Sequence, residues 1–209
     1  MKFKICGVPV LVSLPFTALL TLFFLMDRTG LASLSVVTVL LHEAAHLIAM
    51  AACGVRPRAV RLVVGAVEIV APTGCLSRRR EICVSAAGPM ANLLVGGLLC
   101  LLSRQGGEGV LQNAAVLQFS FGFFNLLPAE GLDGGSILST LCEGRFFRLP
   151  GIVSAVTLAL LTAGGVLLLI CCGGGGVLFA AVYLLAAGLL CARSPKRRAA
   201  KAAGAEPSV

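Results

Sequence analysis

Charge is scarce in this sequence. Of its 209 residues only 12% are charged, Asp and Glu together number nine, and 58% are hydrophobic, with a mean hydropathy of +0.99. An ordinary soluble domain is about 45–50% apolar and about 25% charged. A soluble globular fold is therefore excluded, and a bilayer is the solvent that suits the composition. Also missing is any C-x-x-C pair among the nine cysteines, most of which sit inside apolar runs. That leaves them, the adjacent Cys171 and Cys172 included, as small apolar filler and not a disulfide framework. Internal repeats are absent, and so is any segment that reads as a separate soluble domain.

What the sequence does have is six apolar runs, at 8–26, 31–53, 82–103, 109–127, 151–172 and 176–192. A spanning helix needs about 17–25 residues, so the last is the shortest that qualifies. The first run is too long for a signal-peptide core and has no A-x-A-like site before Asp27, so it reads as a retained first helix. With the N-terminus in the cytoplasm, fifteen of the seventeen basic residues fall on the inner side and only Arg28 and Arg104 on the outer. The positive-inside rule then places both termini in the cytoplasm. The net charge of +8 is thus a topology signal. The tail SPKRRAAKAAG lacks aromatics and directly follows a span, which makes it an anchor beside anionic lipid, with no nucleic-acid partner expected. Residues 1–192 form one membrane domain and 193–209 a basic cytoplasmic tail.

Between the second and third runs, residues 54–81 do not span. RAVRLVVGAVEIVAPTG, from Arg58 to Gly74, is rich in Val and Ile around Gly65, which predicts a short β-hairpin. The fold class expected is an all-α polytopic membrane protein of about six transmembrane helices, with a membrane-associated hairpin between the second and third. The run Gly173 to Gly176 fits a tight turn before the last span.

Three ionisable groups interrupt the second run, in LLHEAAHLIA. His42 and His46 are the only histidines of the chain, and four-residue spacing puts them on one helical face, one turn apart. Two histidines scattered at random in such a chain land four apart about one time in a hundred, and Glu43 makes the pattern H-E-x-x-H more specific still. Neutral imidazoles at that spacing reach one Zn²⁺, and the intervening glutamate is left to take a proton from water. Ionisable groups at membrane depth are costly to bury and functional by default. A catalytic zinc usually has three protein ligands. With no third histidine and no thiol cluster, a carboxylate is required. Asp27 and Glu108 fall on outer loops, and Glu68, Glu81, Glu143 and Glu206 in or beside inner segments. Glu130 and Asp133 remain, in FNLLPAEGLDGGSIL. There Pro128 ends a helix, and Gly131, Gly134 and Gly135 permit a turn. His42 lies about 16 Å from the inner end of its span at 1.5 Å per residue, within the membrane thickness and reached through a water-filled cavity.

HEAAH, AAGPMAN (Ala86–Asn92) and NLLPAEGLDGG (Asn125–Gly135) occur in that order over about residues 35–145. Together they resemble the site-2 protease family of intramembrane zinc metalloproteases, peptidase family M50. The six-span plan without a PDZ insertion is most similar to the stage IV sporulation protein FB group. The resemblance implies that His42, His46 and Asp133 hold one zinc ion and that Glu43 is the catalytic acid/base. Gly88, Pro89 and Asn92 match a third-helix motif of close helix approach. Asn125, Pro128 and Gly134 match the aspartate motif, with Asn125 placed to bond substrate backbone. Glu130 is no part of that pattern and is expected to face water. Many members of the group carry a CBS domain after the last span, which the seventeen residues from 193 to 209 do not provide.

The implied activity is regulated intramembrane proteolysis of membrane-associated or single-span proteins in a bacterial plasma membrane, a sigma-factor precursor among them, with room for a regulatory membrane partner. The hairpin at 58–71 is expected to take up the unwound substrate as an added strand. Two other classes compete: a silent family member that only binds membrane partners, and a metal transporter. A transporter spreads its ligands on both sides of the midplane, and the outer halves of these runs offer no His, Asp or Glu.

Overall fold

The computed structural model describes residues 2–5, 8–63, 66–70, 76–104, 109–143, 146 and 148–172. The sixth apolar run, the Gly173–Gly176 turn and the basic tail lie outside them. The chain divides into two units, Met1–Leu126 and Leu127–Val209.

The first unit opens on a sheet. Strands β1 (Lys2–Ile5), β2 (Val8–Val12), β3 (Ala59–Val63) and β4 (Ala66–Val70) lie in the order β1-β2-β3-β4. β1 and β2 are antiparallel, β2 and β3 parallel, with Val10 opposite Val60, and β3 and β4 antiparallel. Two of these strands were not expected. The run 8–26, read as one span, instead splits into β2 and a helix α1 of only 13 residues (Leu14–Met26). The reason is local. Val8, Val10 and Val12 favour an extended backbone, and Pro9 withholds a helix donor. Ser13 then caps α1 by accepting from Phe16 N (3.4 Å), with proline in the first turn. At 1.5 Å per residue α1 is about 20 Å long, short of a hydrocarbon core of about 30 Å.

Three long helices follow: α2 (Leu31–Ala52), α3 (Arg78–Ser103) and α4 (Gly109–Asn125). They pack antiparallel in succession. Position 96 of α3 lies against Gln118 and Phe119 of α4, and position 122 of α4 against Leu93 and the Pro89 carbonyl, with Cβ clearances of only 3.1–3.3 Å. Glycine at both sites lets the backbones approach closely. The burial pattern is reversed from that of a soluble bundle. Thr38, His42, His46, Asn92 and Gln118 are buried, while Leu40, Ile48, Leu94, Leu98 and Leu101 stand exposed. That is the arrangement of a bundle whose outside meets lipid. The second unit contains α5 (Asp133–Cys142), a helix the sequence reading did not anticipate, and α6 (Leu149–Cys172). Among the described residues there are six helices, and α2, α3 and α6 are long and apolar enough to cross a membrane.

Asp27 ties the turn between α1 and α2. Its Oδ1 accepts from Thr29 Oγ1 (2.7 Å) and Thr29 N (2.9 Å), and its Oδ2 from Ala32 N (2.7 Å). The Thr29 hydroxyl bond first, then the backbone bonds, lower the carboxyl below its usual 3.8. A carboxylate with a depressed folded-state pKa adds stability above its unfolded value and loses it as pH falls through the folded one. Asp27→Ala should therefore lower the thermal midpoint at neutral pH. In melting curves taken down a pH series, the gap between variant and parent should close only below about pH 4.

Candidate metal centre

His42 and His46 lie one turn apart on the face of α2 that also buries Ala32, Thr38 and Met50. Their rings meet edge to face with centroids 4.7 Å apart, and the two Nε2 atoms approach to 3.1 Å. Nδ1 of His46 lies 2.7 Å from the Val84 carbonyl on α3. A carbonyl only accepts, so Nδ1 carries the proton and Nε2 is left with its lone pair, the form that binds a metal. Two nitrogens that both sit about 2.0–2.1 Å from a tetrahedral ion are about 3.3 Å apart. The 3.1 Å pair is close to that arrangement.

Gly88 shapes the space in front of the pair. A Cβ there would stand 2.7 Å from His42 Nε2 and closer still to His46 Nε2. Glycine thus has a specific role: it keeps open the crease into which both donor atoms point. Gly88 is one turn beyond Val84 on α3, so one helix face both orients an imidazole and clears its far side. The Phe121 ring of α4 closes against His42, edge to face at 5.1 Å. Glu43, half-buried, follows His42 on α2. The donor set and the cleared crease fit a zinc ion.

Pro89 and Asn92 are fully buried in α3. The Asn125 amide group donates to the Phe121 carbonyl within α4 (3.0 Å), so the Oδ1 end is the one suited to a substrate N–H.

In the second unit α4 has already ended, three residues before Pro128, and the chain turns through Gly131 at φ +97°. Asp133 is the first residue of α5 and is half-buried, and Gly134 behind it is buried. A side chain at Gly135 would collide with the Ala129 carbonyl, and Glu130 N donates to Ser154 Oγ of α6 (2.8 Å). The turn that presents Asp133 is thus held from both sides. Glu130 is half-buried and not fully open to water as expected.

Val84, Phe121 and the clearance role of Gly88 were not found from the sequence. A backbone carbonyl has no residue-type signature. The only available hint was the spacing of Val84 and Gly88 by four on a helix known to carry small residues.

These features describe an apolar helical protein, suited to a membrane, with a buried histidine pair whose spacing suits a metal. Comparison with known proteins narrows the class. Residues 102–171 match the family model described as Peptidase family M50. A curated zinc metalloprotease of Methanocaldococcus jannaschii is 27% identical over 157 residues, covering 69% of this chain. The chain spans about half of that relative's length, 45%. The solved site-2 protease from Methanocaldococcus jannaschii superposes with a TM-score of 0.64 at 20% identity, covering 88% of this chain and 91% of that one. A likeness at that identity speaks for the fold. The sequence matches thus support a likeness to peptidase family M50, and the superposition gives the fold of a solved site-2 protease. They do not single out the sporulation group.

Gly88→Ala should leave helicity and the thermal midpoint near those of the parent but take bound zinc from about one per chain toward none, as read by elemental analysis of the purified protein. Full zinc loading in that variant would contradict the crease as the metal position.

Proposed function

We propose that the chain is an intramembrane zinc metalloendopeptidase that cleaves membrane-associated or single-span proteins. The observation that carries this reading is the convergence of two imidazole Nε2 atoms, 3.1 Å apart, on a crease kept clear by Gly88. Asp133 is the third ligand in this reading. The aspartate motif it stands in supports that role, and two imidazoles with one carboxylate are a known catalytic zinc set. When bound, zinc supplies Lewis-acid activation of water and of the peptide carbonyl.

The chain's own residues do the rest. Glu43 accepts a proton from the attacking water and returns it to the leaving amine. His46 is held in its donor tautomer by Val84. Asn125 accepts from the unwound substrate through Oδ1. β4 lies at the edge of the sheet, where an extended segment adds as a further strand. The silent-binder and transporter readings gain no specific support from the geometry.

The test uses parent and Glu43→Gln protein in detergent, assayed for zinc and for cleavage of single-span substrates. A sigma-factor precursor joins the panel because of the resemblance to the sporulation group. Both preparations should hold zinc, and loss of the general base should slow cleavage by about two to four orders of magnitude. Equal cleavage by both would remove Glu43 from the chemistry. Zinc in both with no cleavage in either would favour the silent binder. Ile69→Pro, which withdraws a backbone donor from β4, should raise KM and leave zinc content unchanged. Unchanged KM would remove the strand from substrate binding.

A further inference from the structure

The polar interior continues past the histidines. α2 and α3 run antiparallel, with His46 level with Val84 and His42 level with Gly88. One turn further from the Arg78 end of α3 come Thr38 on α2 and Asn92 on α3, both buried. One more turn along α3 lies Gly96, and against it packs Gln118 of α4. Each step of four residues is about 6 Å. Buried polar side chains therefore follow the histidine pair for about 12 Å, away from the face on which Arg78, Arg79 and Arg80 sit.

Two of these groups are unsatisfied. Among the described residues, Nδ2 and Oδ1 of Asn92 and Oε1 of Gln118 reach no hydrogen-bond partner. Asn92 has no exposed surface, and Gln118 is 3% exposed. Thr38 differs, since its hydroxyl donates to the Leu34 carbonyl (2.9 Å). Leaving a buried amide unpaired is costly, so such groups are normally met by protein or ordered water. A substrate peptide does not reach a fully enclosed side chain. Ordered water is the small partner that suits such a place, and it takes two to four polar partners, of which these amides offer several. The Cα–Cβ bond of a helical residue tilts toward the helix N-terminus, so Asn92 leans back toward Gly88 and the histidines.

We propose that Asn92 and Gln118 hold a small store of internal water behind the histidine pair, and that this store supplies the water consumed in hydrolysis. A peptidase at membrane depth uses one water per turnover, and a bound substrate blocks the cytosolic approach. A polar reservoir on the opposite side of the metal position removes that conflict. Asn92 and Gln118 are positioning residues in this scheme and do not touch the substrate. The supply role rests on the proposed hydrolytic activity, whereas the water store itself does not.

The experiment compares parent, Asn92→Leu/Gln118→Leu and Asn92→Ser proteins, full length and zinc-loaded in detergent. Infrared difference spectra in ordinary and oxygen-18 water identify internal water by its shifted O–H stretching bands. The double variant should lose bands present in the parent and lower kcat about tenfold with KM and zinc content unchanged. Asn92→Ser, which keeps one hydrogen-bonding group, should recover bands and rate. If the double variant does not fold, Gln118→Leu alone is read in the same way. Bands unchanged on removing the amides would overturn the store, and bands lost with kcat unchanged would overturn the supply role. If the parent cleaves nothing, the hydrolytic reading fails separately, and the infrared bands still decide whether the amides hold water.

Discussion

Two imidazoles on one face of an apolar helix are the constraint from which the rest of the bundle follows. Neither ring can be left in a low-dielectric interior without partners, because an unmet buried polar group is costly. α3 answers that demand twice within one turn. The Val84 carbonyl takes the proton of His46 Nδ1, and Gly88 leaves space where both Nε2 atoms converge. α4 contributes the edge of Phe121 against His42. Close packing of α3 on α4 then requires small residues at 96 and 122, and glycine stands at both. Apolar side chains are displaced to the outside, where Leu94, Leu98 and Leu101 face outward.

Much of this was legible because the chemistry is written in spacing. H-E-x-x-H fixes a helix face and a ligand pair at once, and both histidines are buried together on α2. Runs of about 20 apolar residues marked α2, α3 and α6 within a few residues of their observed ends. The errors came where hydropathy alone carried the reading. Val8–Val12 is as apolar as a span but β-branched, and pairing with β3, over forty residues away, made it a strand. No local pattern announces such a non-local partner. Gly131, Gly134 and Gly135 permit a turn, and nothing local marks a helix. A helix starts there nonetheless, with Gly135 required by the Ala129 carbonyl behind it.

The candidate site was legible by residue type and illegible where the backbone acts. His42, Glu43, His46 and Asp133 are chemically distinctive. Val84 acts through its carbonyl and Gly88 through a missing side chain, so neither advertises its role. Asn92 stands in the third-helix motif, and its amide is fully enclosed and without a hydrogen-bond partner among the described residues, which residue type alone does not reveal.

The central claim is that both imidazoles bind one ion through Nε2. X-ray absorption at the zinc edge of the metal-loaded protein tests it most directly. The account predicts a shell of nitrogen and oxygen at about 2.0–2.1 Å, with the outer scattering of two imidazoles and no sulfur at about 2.3 Å. With nine cysteines in the chain, a sulfur shell is a real competing outcome. Sulfur in the first shell, or scattering from fewer than two imidazoles, would contradict it.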